Sequence, residues 1–253
     1  MPDMPEETDA NDEPLLTASK KLAWRSTEAR VSVPRLPDAA ILTHQRFLLP
    51  RGVPWRRDPA AGLFSFESRS IAGGAVTLAC VRGVGAPATA VAIEELGAAG
   101  VRRLIAVDIG GSIVAGLSSG AALLVEDARA CDGTSPHYTA DRRVSPDDAL
   151  TQRLGERLQA EGIAFSPGAV LSTDAVYRET PSMLEGARDQ GVVAVDMETA
   201  CLLAVAGATG IEAAAMLVVA DELHNGWRPP ADMVVVHSQL RRLLGAAAAC
   251  LLP

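Results

Sequence analysis

The sequence holds only four cysteines, and their placement excludes more than it suggests. Cys80, Cys131, Cys201 and Cys250 lie far apart and form no C-x-x-C pair, which fits neither a zinc site nor a small disulfide scaffold. A reducing cytoplasm is the simplest compartment. Basic residues are outnumbered, 23 Lys and Arg against 31 Asp and Glu, for a net charge of -8. That balance argues against a nucleic-acid surface, which needs clustered cations. No apolar run is long enough to span a bilayer, and MPDMPEETDANDEP lacks the basic-then-apolar order of a signal peptide, so no membrane partner is expected. The four histidines make no metal spacing with nearby acids, and no metal is expected. Internal linkers and short-period repeats are missing as well. Residues 1 to 20 read as a disordered acidic tail, and 21 to 253 as one domain.

Apolar runs and helical periods alternate along that domain. Ala39 to Leu42 reads as a first strand, and 63 to 83 as a hairpin turning at Gly73-Gly74. Gly83 and Gly85 permit a tight turn before a helix over Ala88 to Ala99. Strands follow at Leu104 to Val107, Ala121 to Val125, Gly168 to Ser172 and Ala213 to Val219, with helices over Asp147 to Glu161 and Met233 to Leu252. This pattern predicts an α/β fold, a central mixed sheet covered by helices on both faces. The stretch 191 to 210, GVVAVDMETACLLAVAGATG, changes period in its middle, from a strand run at Val192 to Val195 to helical spacing from Met197 onward. Asp196 and Glu198 sit at the change. Carboxylates projected beyond a strand end can accept hydrogen bonds from sugar hydroxyls, or simply serve helix-end electrostatics.

Polar or glycine-rich segments mark several strand ends, at RGVGAP, DIGGS, STDAVY, DMET and ADEL, where a shared pocket would gather its groups. The G-x-G of RGVGAP is short of a dinucleotide fingerprint, and a packing turn explains it as well as a phosphate cradle. Taken in order, GVGAPATAVAIEELGAAGVRRLI, DGTSPHY, STDAVYRETP, VAVDMETACLLAVA and VVADEL resemble the nucleoside phosphorylase family, which includes purine nucleoside and uridine phosphorylases and related nucleosidases. The resemblance covers residues 75 to 225. It implies a homo-oligomeric enzyme that cleaves the N-glycosidic bond of a nucleoside without a cofactor, phosphate being the co-substrate if the reaction is phosphorolysis.

By the same resemblance Glu198 holds the ribose hydroxyls, Met197 packs against the sugar, and Tyr177 and Val176 line the base pocket. Asp221 matches the aspartate that purine-specific members aim at N7 of the departing base, which tilts the substrate toward a purine nucleoside. For Val176 and Asp221 the plainer roles, core packing and a strand-end cap, stay open. The phosphate site departs from the family pattern. No G-D-P-x-R loop follows the first strand, and LIAVDIGGS carries Ala106 at the arginine's place and Asp108 where glycine is expected. An aspartate facing a phosphate dianion repels it unless protonated or paired. Gly110, Gly111 and Ser112 as an anion nest, with Arg82 or Arg46, are the conceivable replacements. If water replaces phosphate, Asp108 and His137 are candidates to activate it. Trp227 reads as a loop or subunit anchor. Phosphorolysis of a purine nucleoside leads narrowly, ahead of hydrolysis and of binding without turnover.

Overall fold

The computed structural model describes residues 14–30, 32–48 and 63–252. A helix, α1 (Ala18–Ala29), is capped by Thr17, whose hydroxyl accepts from the Lys20 N–H. It begins inside the stretch expected to be a tail; residues 1–13 of that stretch lie outside the described residues. The chain then runs through β1 (Ala39–Thr43), β2 (Phe66–Ile71), β3 (Val76–Val81), α2 (Ala86–Ala98), β4 (Arg103–Ser112), β5 (Ala122–Cys131), β6 (Arg143–Val144) and α3 (Asp148–Ala160). After these come β7 (Phe165–Thr173), α4 (Pro181–Asp189), β8 (Val192–Asp196), α5 (Thr199–Thr209), β9 (Glu212–Glu222) and α6 (Met233–Leu251). The result is an α/β domain with a central mixed sheet flanked by helices. The expected hairpin is present, with β2 and β3 antiparallel and Gly73 at φ 67 in its turn.

Strand alternation sends side chains to two cores. In β1, Ala40 and Leu42 face the layer of α2 and α5, whereas Ala39 and Ile41 face α3 and α6. α5 is apolar around its circumference and is accordingly buried over Thr199 to Ala206. A smaller apolar cluster seats α4 through Leu184 and Ala187 against β7 and β8.

The sheet does more than stack strands in a row. β4 pairs with β9, β9 with β5, β5 with β7, β7 with β8, and β8 returns to β4, so five strands close into a ring. Closure needs a long β4, and β4 runs to Ser112 although only Leu104 to Val107 reads as strand from sequence. Its end is Gly110-Gly111, where a Cβ on Gly110 would stand 2.9 Å from the Val195 carbonyl oxygen. One on Gly111 would stand 2.5 Å from Leu223 Cδ1 and 2.9 Å from Asp221 Oδ1. Glycine here lets β8 and the end of β9 close over β4. The strand is extended at both positions, so the pair forms no anion nest, which needs a turn.

Candidate active site

The ring gathers the ends of β1, β4, β8 and β9 and the loop after β7 around one cavity, of about 650 Å³. Val84, Gly110, Gly111, Val176, Tyr177, Met197, Glu198 and Asp221 all line it. Of the residues singled out in the sequence, Ser112, Arg82, Arg46 and His137 do not. Ser112 is fully buried, and its hydroxyl donates to the Val114 carbonyl. Arg82 reaches the Phe64 carbonyl, Arg46 pairs with Glu67 at 3.3 Å, and His137 closes a short 3-10 turn. None of the three supplies a charge to the cavity wall.

At the period change after β8, the two acids divide the two roles left open for them. Asp196 is buried and accepts from the Ser172 hydroxyl at 2.5 Å, from the Thr199 N–H at 2.9 Å and from the Thr199 hydroxyl. It ties β7 to the start of α5. Glu198 occupies the N-cap position but makes no cap bond; its Oε1 instead accepts from the Gly85 N–H at 2.7 Å. Gly85 stands at φ 86, a conformation that favours glycine, which explains the second glycine of RGVGAP. Burial raises the Glu198 carboxyl to about 7, against the pull of His44, with Asp196 and Asp108 adding to the rise. A carboxylate has about four acceptor positions, so the Gly85 bond leaves capacity for two hydroxyls.

His44 and Gln45, directly after β1, occupy the ground where the resemblance puts a phosphate loop. Asp108 accepts there from the His44 N–H and Nδ1–H, both at 2.7 Å, from Gln45 Nε2 at 2.8 Å and from the Ile109 N–H at 3.0 Å. Four donors occupy its acceptor positions, which removes it as a base for water. On the other side of the ring, Nε2 lies 3.1 Å from Thr89 Oγ1, and that hydroxyl donates its one hydrogen to the Gly85 carbonyl. With Nδ1 donating to Asp108, protonation of Nε2 completes an imidazolium, the form that the neighbouring acids favour. Burial opposes that charge, but Asp108 outweighs it, helped by Glu198 and Asp196, and the pKa is raised above 6.5. A basic group raised on folding stabilises fully below its unfolded value and loses that contribution as pH climbs through its folded value. His44→Gln should thus cost about 3 kcal/mol near pH 6, and the gap to wild type should narrow above pH 6.5. Urea unfolding across that range measures it; a gap independent of pH would refute the imidazolium.

Two residues complete the opposite wall. A tight turn with Gly226 at φ 83 returns the chain so that Arg228 pairs with Glu222. This swings Trp227 over the cavity, where its Nε1–H donates to Asp221 Oδ2 at 2.7 Å. Trp227 is a pocket residue more than a remote anchor. Glu179 follows Tyr177 in the loop after β7, half-buried, and burial raises its carboxyl to about 7, reinforced by Asp221 and Asp196. His44 matched no motif, and Glu179, although inside STDAVYRETP, was given no role there; only their place after a strand end marks them. Among the described residues no cluster of His, Cys, Asp or Glu is arranged to hold a metal ion.

A family model described as the phosphorylase superfamily matches residues 37–252. Guanosine phosphorylase of Halorubrum lacusprofundi is 30% identical over 155 residues, which cover 60% of this chain and 64% of that protein. The match thus spans less than two thirds of the relative's length. Among solved structures, uridine phosphorylase from Vibrio fischeri superposes with a TM-score of 0.70 at 20% identity, over 88% of this chain and 94% of that one. AMP nucleosidase from Bacteroides thetaiotaomicron gives 0.70 at 19%, over 93% and 96%. At such identity the two structures speak for the fold alone.

Proposed function

Because the chain belongs to the phosphorylase superfamily, we propose that it cleaves the N-glycosidic bond of a purine nucleoside, with water as the acceptor of the ribosyl group. The observation that carries this reading is the charge of the cavity. Asp108, Glu179, Asp196, Glu198 and Asp221 line it, and among the described residues no Lys or Arg does. Such a wall opposes a phosphate dianion and favours a sugar that becomes positive, since N-glycosidic cleavage passes through an oxocarbenium-like state. Neither reaction needs a cofactor.

In this scheme Glu198 holds the ribose hydroxyls and Met197 packs on the sugar face. Tyr177, Val176 and Trp227 bound the base, and Asp221 faces its N7 side. Tyr177 is 97% exposed, Val84 68% and Trp227 67%, so a large apolar rim surrounds the mouth. That rim supports the expected homo-oligomer, whose second copy would cover it.

Phosphorolysis to ribose 1-phosphate is the second reading, favoured by one feature of the site. His44, whose protonated form the neighbouring acids favour, stands at the position of the family's anion loop. Base release from purine nucleosides, in phosphate-free buffer and again with phosphate, separates the two. Equal release in both, with free ribose formed, is the expected result. Strict phosphate dependence with ribose 1-phosphate formed would replace water by phosphate, and binding without release from any nucleoside would end the enzymatic reading.

A further inference from the structure

A second cavity, of about 540 Å³, opens where β5, β6 and β7 meet α4. It shares no lining residue with the candidate active site, and its charge is the reverse. Arg129, Arg142 and Arg143 line it, and among the described residues no Asp or Glu does. In a chain of net charge -8 this is a local concentration of cations against the overall balance.

Antiparallel pairing sets Arg129 of β5 directly across from Arg143 of β6, which is unfavourable for like charges. The fold answers with one buried acid. Asp127 takes Arg129 Nη1 on Oδ1 at 3.1 Å and Arg143 Nη2 on Oδ2 at 2.9 Å, so a single carboxylate bridges two guanidinium groups. Arg142 brings a third cation; its Nη1 donates to the Ala130 carbonyl at 3.2 Å, and among the described residues no carboxylate pairs with it. Three cations against Asp127 leave two positive charges in excess. Each guanidinium offers five donors, and these bonds, with one from Arg129 Nη2 to the Gln190 carbonyl, leave most of them unused.

The rest of the wall is of another kind. Leu171 from β7, Met183 and Ala187 from α4 and Val192 from β8 form an apolar floor. A concave site of this size, mostly apolar and with a few convergent polar groups, is what holds a small organic molecule. We propose that this cavity binds a phosphate monoester with an apolar body, the dianion met by Arg142 and Arg143 and the body by Leu171, Met183 and Val192. A dianion matches the two-charge excess, and planar forks match phosphate oxygens in pairs. A carboxylate would leave one of the two charges unmatched, and a neutral nucleoside brings no charge at all. The inference does not depend on the reaction proposed above.

Phenyl phosphate is the probe, titrated calorimetrically into the full chain at low salt, beside inorganic phosphate and phenol. One phenyl phosphate per chain should bind, about tenfold tighter than inorganic phosphate because its ring is buried on the floor, and added salt should weaken it. Phenol alone should not bind measurably. Arg142→Gln should weaken phenyl phosphate about tenfold, through loss of one charge-assisted hydrogen bond. Arg142→Lys, which keeps the charge without the fork, should fall between the two. Arg142 is exposed and its removal strands no carboxylate, so the variant keeps the fold, which an unchanged melting temperature checks. No binding of phenyl phosphate, inorganic phosphate bound as tightly as the ester, or equal affinity in wild type and Arg142→Gln would each overturn the inference. Binding is read without turnover, so a wild-type protein that releases no base would overturn the glycosidic reading and leave this site standing.

Discussion

Glu198→Ala is expected to lower kcat/KM on a ribonucleoside by about 10² to 10⁴-fold. The magnitude follows from two charge-assisted hydrogen bonds to the sugar, each about 1.5 to 3 kcal/mol, at 1.36 kcal/mol per tenfold in rate. Truncation also strips the Gly85 N–H of its acceptor, so part of the loss could come from the turn that starts α2. Comparison of substrates separates the two. Wild type should prefer a ribonucleoside over the 2′-deoxynucleoside, and the variant should handle both about equally, since nothing remains to sense the 2′ hydroxyl. A ribose preference that survives the mutation would remove Glu198 from the sugar. The acid side of the pH profile carries the same information: the carboxyl near 7 must ionise to accept hydroxyl hydrogens, so activity rises toward pH 7 and the rise is lost in the variant.

That sequence places Glu198 on the cavity wall has a physical basis. The residue proposed to hold the sugar sits where a strand run gives way to a helical period, and such a junction is fixed by local sequence. The same holds for the β2 and β3 hairpin, for α2 and for the helical cover on both faces, since all depend on near-neighbour patterns of apolar residues. The closed ring of five strands was not legible. It depends on Gly110-Gly111, which read as a loop because glycine removes the apolar signal, while in the fold glycine is what permits β8 to approach β4.

The anion side failed for a related reason. Sequence places Asp108 as an isolated acid facing a ligand, but its partner His44 is 64 residues away and follows a different strand. Only the parallel pairing of β1 with β4 brings them together. Ser112 and Arg82 were attractive as residue types beside glycine turns, yet one is turned into the core and the other toward the Phe64 carbonyl. Motif reading finds groups that act alone and misses those whose state is set by a distant neighbour.

Asp221→Asn should separate purines from pyrimidines. On purine nucleosides the loss should be about 10² to 10⁴-fold, the range for a proton transfer to the leaving group, and on pyrimidine nucleosides it should be far smaller, because that ring has no N7. Asparagine keeps an oxygen that can accept from the Trp227 Nε1–H, so the turn over the cavity survives and the change isolates charge and proton. Steady-state kinetics of wild type and variant on one purine and one pyrimidine nucleoside decides the matter: equal losses on both bases would take Asp221 away from N7.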